Sequence, residues 1–226
     1  MIAGKITDLK HKLIEYATLV ENMIDKSIKG LIQKEEGVLK DVIENDELRA
    51  NDFEIELDEL CAAVIAQFQP AAKNLRTILM ILKMNNDLER IGDHAVNICD
   101  SALFLITRPQ IKVFKELPAM VEETKHMLKN SINSFINEDA ELANSICEKD
   151  KVVDKLRDNI LAELISIMLK EPEAIERALF IMRIARNLER IADLSTNICE
   201  DIIYMVEGLS IKHHKTELNY KESVHE

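Results

Sequence analysis

The chain has no tryptophan, and aromatic residues fill only 4% of its 226 positions. Sandwiches and barrels rely on aromatic and β-branched strands joined by frequent turns, so this shortage argues against an all-β fold. Turn formers are equally scarce, with 5 glycines and 4 prolines. Few turns require long elements. The 4 cysteines include no CxxC pair, which argues against a disulfide set. Cys99 and Cys199 fit small buried apolar positions better. Positive charge is in deficit: 29 Lys and Arg face 41 Asp and Glu, a net charge of −12. A basic nucleic-acid surface is disfavoured on that balance, and no nucleic-acid partner is expected. The longest apolar run, Leu60 to Ala66, falls far short of the ~20 residues that span a bilayer. The opening MIAGKITDLKHK offers no apolar signal core. These shortages predict a soluble protein of a reducing cytoplasm, with room to rest against a membrane protein.

What the chain does have is apolar residues recurring at three and four, the signature of amphipathic helices. Leu9, Leu13, Tyr16, Val20, Met23 and Ile24 mark a first helix from about Asp8 to Leu31. Gly30 and Gly37 bracket a turn, and a second helix runs to about Gln69. Pro70 suits the first turn of a third, which reaches about Thr107. The segment TRPQIKVFKELP reads as a linker. The pattern then restarts, with helices from about Ala119 to Ile136, Asp139 to Lys170 and Pro172 to Glu207. Gly208 suits a helix stop, and a polar tail follows.

The two halves repeat. LERIGDHAVNICD, starting at Leu88, matches LERIADLSTNICE, starting at Leu188, at eight of 13 positions with an offset of 100. Upstream the offset is 103, pairing Leu39 with Leu142, Ile43 with Ile146 and Glu47 with Asp150. The predicted fold is all-α: two tandem, pseudo-symmetric three-helix bundles, six helices in all. The expected boundaries are 1–108 for the first bundle, 109–118 for the linker, 119–208 for the second bundle and 209–226 for the tail.

Within the repeat, Glu89, Asp93, Asn97 and Asp100 fall inside an arc of roughly 80°, given about 100° per helical residue. Leu88, Ile91, Ala95, Ile98 and Ala102 lie on the opposite side. Glu189, Asp193, Asn197 and Glu200 repeat the oxygen-rich stripe. Asp150 and Asp154 add an i, i+4 acidic pair on the middle helix. Their first-half counterparts are Glu47 and Asn51, a weaker pair. Two carboxylates about 6 Å apart repel by roughly 3 kcal/mol at an effective dielectric of about 20. The stripe is therefore either a solvated face or a place for cations. Arg90 and Arg190 are in reach of Asp93 and Asp193 at i, i+3. Carboxylates on adjacent helices also ligate iron, manganese, magnesium and zinc.

DLERIGDHAVNI and NLERIADLSTNI resemble the paired signatures of the PhoU family of phosphate-uptake regulators. FQPAAKNLRTI and EPEAIERALFIMRIARNLERIAD extend the resemblance over nearly the whole chain. It implies a cytoplasmic, often dimeric regulator that restrains phosphate uptake and the phosphate-starvation response, and not an enzyme. The partners it implies are the ATPase subunit of the phosphate ABC transporter and the phosphate sensor histidine kinase. It further implies multinuclear metal on E/DxxxD motifs. Those motifs match Glu89 with Asp93, Glu189 with Asp193, and Asp150 with Asp154.

Other features fit plainer readings. His94 reads as a polar helix residue before a ligand. Glu123 with His126 has the ExxH spacing of di-iron bundles, but the second such pair, Glu222 with His225, lies in the tail. Arg183, Arg186 and Arg190 suit salt bridges to Glu176, Glu189 and Asp193 or, alternatively, an acidic partner. The 9 methionines suit core filling. No Gly-rich phosphate loop, anion nest or nucleophile–histidine–acid set is present, and no organic cofactor is expected. The competing functions are a carboxylate-bundle metalloenzyme and a metal-free helical scaffold.

Overall fold

The computed structural model describes residues 2–111 and 116–207. Helix α1 (Ile2–Gln33) buries the stripe expected from its spacing, Leu9 to Ile24. It stops at Lys34, which takes a left-handed backbone with φ 56°. The amide of Glu35 then donates to the Gly30 carbonyl at 3.0 Å, satisfying an acceptor that the helix end would otherwise leave bare. The chain returns through α2 (Glu36–Asp41), a π-turn (Val42–Asp46) and α3 (Glu47–Phe68). Helix α4 (Ala72–Ile106) completes the first unit.

The second unit follows the same path: α5 (Glu116–Asn137), α6 (Ala140–Cys147), α7 (Asp150–Lys170), a 3-10 turn (Pro172–Ala174) and α8 (Ile175–Glu207). Helix α5 ends as α1 does. Glu138 is left-handed with φ 51°, and the Asp139 amide donates to the Ser134 carbonyl at 2.9 Å. The Asp139 carboxylate then caps α6, accepting from the Leu142 amide at 2.9 Å. Among the described residues there are helices and turns and no strand.

Four local expectations differ from the structure, the first being that α1 already starts at Ile2 instead of Asp8. Each middle helix is interrupted at the same place in its repeat. The first copy inserts a π-turn at Val42–Asp46, and the second breaks between Cys147 and Asp150. Pro70 does not open α4. Gln69 is left-handed and Ala71 is extended, so the helix begins at Ala72. Helix α5 starts at Glu116 instead of Ala119 and carries Pro118 in its first turn. Gly208, the tail, and residues 112–115 of the expected linker lie outside the described residues.

The units meet along α4 and α8, which run antiparallel. Lys83 donates to Asp201 at 3.1 Å, and Arg183 donates to Asn97 at 2.9 Å. The Phe104 and Phe180 rings stack 3.7 Å apart. Leu88, Ile91, Ala95 and Ile98 of α4 and Leu188, Ile191, Ala192 and Ile198 of α8 are buried in one core continuous across both units. Met80 and Met84 belong to it, as do Cys99 and Cys199.

Gly30 lies inside α1, before the turn, and its role is close packing. A Cβ there meets Leu39 Cδ2 at 2.5 Å, whereas a Cβ at Gly37 meets nothing within 4 Å. Leu39 is fully buried, so it has little room to move. Gly30→Ala is expected to cost about 1–3 kcal/mol through overpacking. Gly37→Ala is expected to be neutral or to stabilise by up to about 1 kcal/mol, because alanine favours helix. Urea-unfolding midpoints of the two variants check this contrast.

Candidate functional site

Each repeat gathers acids from its middle helix and its last helix. In the first, α3 contributes Glu47 and Glu54, and α4 contributes Glu89, Asp93 and Asp100. Glu47, Glu54 and Glu89 are half-buried, while Asp93 and Asp100 are exposed. Burial, then Asp93 and Glu54, push the Glu89 carboxyl above its ordinary value. Burial, then Asp93 and Asp100, do the same to Glu47. Among the described residues no lysine or arginine forms an ion pair with Glu47, Glu54, Glu89 or Asp93. Arg90 does not pair with Asp93 as its spacing allowed; it turns to Asp87 at 3.7 Å. Beneath this face lies Tyr16 of α1, stacked on Phe53 at 5.6 Å. Tyr16 is 0% exposed and its hydroxyl has no hydrogen-bond partner. Burial raises its pKa first, and Glu54, Glu89 and Asp93 raise it further.

The second face comprises Asp150 and Asp154 of α7 with Glu189 and Asp193 of α8, all half-buried. Asp150 sits in the first turn of α7, where the helix dipole favours an acid. Here the charges are met. Arg157 donates to Glu189 at 2.7 Å and to Asp158 at 2.9 Å, and it also pairs with Asp154 at 2.8 Å. Arg190 pairs with Asp193 at 3.5 Å, as its spacing predicted, and with Glu189 at 3.8 Å. Asp150 is nevertheless held above its ordinary value by burial, Asp154 and Glu189. Asp193 is pushed up to about 6 by burial, then Glu189 and Asp150.

The remaining predicted residues divide. Asn97 serves the seam: its amide donates to the Asp93 carbonyl, and its oxygen accepts from Arg183 across the unit boundary, both at 2.9 Å. Asn197 lines a cavity of ≈ 240 Å³ with Asp150, Asp193, Arg90 and Arg190. Glu200 is half-buried, and its field reaches Cys147 and Cys199. His94 also belongs to the seam. Its Nδ1 lies 2.9 Å from the Asn187 oxygen. The Asn187 amide nitrogen donates to the Arg183 carbonyl at 2.8 Å, which assigns the imidazole proton to Nδ1. Arg183 therefore crosses to Asn97 instead of pairing with the acids of its own helix. Glu123 lies 3.4 Å from Lys149, and His126 is exposed.

Arg157, Glu54 and Tyr16 stand out only in the folded structure. Arg157 and Glu54 carried a usable signal, because at the 103 offset they occupy the same position. Tyr16 carried none, since it is one more large residue in a buried stripe. No three His, Cys, Asp or Glu side chains among the described residues are gathered as a metal ion needs them. The first face differs from the second in having no cation ion-paired to Glu47, Glu54, Glu89 or Asp93 among the described residues and in lying over an orphaned buried hydroxyl. The second face already spends its oxygens on guanidinium groups.

Tandem three-helix units, joined along their last helices and each presenting a carboxylate face, define a two-repeat, all-α helical-bundle class. The chain belongs to the PhoU family: the PhoU domain matches residues 13–102 and 117–202. It is 36% identical over 209 residues to the phosphate-specific transport system accessory protein PhoU homolog of Aquifex aeolicus, covering 92% of this chain and 94% of the relative. It is 31% identical over 210 residues to the PhoU accessory protein of Escherichia coli, covering 93% and 87%. The crystal structure of PhoU from Pseudomonas aeruginosa superposes with a TM-score of 0.88 at 33% identity, covering 92% of this chain and all of that one. No described helix is long and apolar enough to cross a membrane.

The electrostatics of the second face set a pH dependence. A carboxyl whose folded pKa is raised contributes stability that is complete below its unfolded pKa. For Asp193 that contribution is lost as pH rises through about 6. His94, depressed by burial, acts oppositely and loses stability on acidification. The difference between wild type and Asp193→Asn isolates the carboxyl. In chelator-containing buffer, the variant's advantage in thermal midpoint is expected to grow between pH 5 and pH 7.5, an interval bracketing that value.

Proposed function

We propose that this protein regulates phosphate uptake and the phosphate-starvation response by contact with other proteins. Its partners in this reading are the ATPase subunit of the phosphate ABC transporter and the phosphate sensor histidine kinase. It works as a homodimer in the cytoplasm and reaches the inner membrane face only through those partners. The observation that carries the reading is the doubled carboxylate face on a tandem PhoU scaffold, in a chain whose relatives are named accessory proteins of phosphate transport. The surface of α3 supports it. Beside Glu47 and Glu54 stand Leu48 and Ile55, 62% and 58% exposed and two turns apart. Apolar anchors rimmed by charge are the usual makings of a protein contact.

Metal enters the proposal through the first face, where Glu47, Glu89 and Asp93 would hold iron, manganese, magnesium or zinc. Such an ion would supply positive charge to which phosphate can bind. It would thereby shift which partner the face prefers, since a ligand moves an equilibrium only by binding one state better than another.

Glu89→Ala combined with Asp93→Ala is expected to derepress a phosphate-regulated alkaline phosphatase reporter under phosphate-replete growth. It is also expected to weaken capture of the transporter ATPase or the sensor kinase by at least tenfold, with the circular dichroism spectrum unchanged. Wild-type reporter output and wild-type capture in a folded double variant would remove the face from the mechanism.

A further inference from the structure

All four cysteines are free thiols, and two of them meet. Cys147 closes α6 and Cys199 lies toward the end of α8, 52 residues apart in the sequence. The fold brings them together. Helix α6 packs on α8, with Ala143 and Ile146 buried in the core, and the two thiols lie in hydrogen-bonding contact. Cys199 is 0% exposed, with the Ser134 hydroxyl of α5 also within hydrogen-bonding reach. Cys147 is half-buried. One sulfur of the pair is thus open to a small solute, and the other is reached only through it.

The repeat isolates this pair. Cys99 holds the place in α4 that Cys199 holds in α8, and it is equally buried. At the 103 offset, however, Cys147 answers to Glu44, which is exposed in the π-turn. Filling the buried position on the last helix therefore needs no second thiol beside it. Bridging fails where two cysteine side chains point apart, and sulfurs already in contact do not. A pair assembled by the fold leaves no CxxC spacing in the sequence.

We propose that Cys147 and Cys199 form a reversible, peroxide-responsive disulfide site that ties the end of α6 to α8. The Cys147 sulfur attacks one oxygen of hydrogen peroxide. The O–O bond breaks, that oxygen stays as a sulfenic acid, and the other leaves as water with the thiol proton. The Cys199 sulfur then displaces the sulfenic oxygen: the S–S bond forms, the S–O bond breaks, and a second water leaves with the Cys199 proton. The two thiols lose two electrons in all, and the peroxide takes them. A dithiol reductant restores both thiols. The bond falls at a joint in the middle helix. Only Glu148 and Lys149 separate α6 from α7, and Asp150, the first residue of α7, belongs to the second carboxylate face. Anchoring Cys147 to α8 stills that interruption and fixes Asp150 relative to Glu189 and Asp193.

The reduced full chain is treated with hydrogen peroxide and then denatured in a chromogenic thiol reagent. The reagent is expected to count two thiols in place of four, and non-reducing peptide mass mapping to find Cys147 joined to Cys199 within one chain. Dithiothreitol is expected to return all four. In the crosslinked chain, amide exchange from Glu148 to Val152 is expected to slow severalfold and the thermal midpoint to rise by about 5 °C or more. Cys147→Ser, at the half-buried position, is expected to abolish the crosslink, and Cys99→Ala to leave it unchanged; should either variant misfold, the mapping of the wild-type chain decides alone. Four free thiols after peroxide, a bond between chains, loss mapped to Cys61 or Cys99, or Cys147 driven to sulfinic acid with Cys199 still free overturns the inference. A crosslink that leaves exchange at Glu148 to Val152 unaltered overturns its role at the joint.

Discussion

The antiparallel contact between α4 and α8 is the constraint from which the rest follows. Each of these helices must bury one side in its own unit and another against its counterpart. Few positions then remain for charge. On α4 the buried set runs from Thr77 through Met84, Leu88, Ile91 and Ala95 to Ala102. Glu89 and Asp93 fall in the gap it leaves, on the side next to α3. The same geometry on α8 leaves Glu189 and Asp193 next to α7. The carboxylates stand together on the sides of α4 and α8 that the packed stripes leave open toward α3 and α7.

Much of this was legible in the primary structure. Three- and four-residue spacing is a strong signal in long rods, so α1, α4 and α8 were readable to within a few residues at most ends. The repeated LERI segments revealed the duplication and hence the pairing of helices. The interruptions in the middle helices were hidden, because Val42 to Asp46 carry no glycine or proline and keep ordinary helical composition. A π-turn adds one residue to the turn without leaving a compositional trace. Arg90 posed a different problem. Asp87 and Asp93 are equally spaced from it, and only the tertiary environment selects Asp87. His94 and Asn97 were drawn into the seam for the same reason, since a helical wheel shows which residues share a face but not which neighbour faces them.

The departures from symmetry are chemically more informative than the symmetry. Backbone features persist between the copies even where residues differ. Lys34 and Glu138 share a left-handed turn without sharing a side chain. Charge has been free to diverge over that constant frame, as when an acid and an arginine occupy one register position. A family fold thus fixes where a functional surface lies, while individual substitutions decide what the surface attracts.

The duplicated architecture makes the molecule its own reference sample. A residue changed within one repeat keeps its counterpart in the other, in the same chain and at the same temperature and ionic strength. Differences between halves can therefore be measured within a single chain, free of the variation that separates one purified protein from another.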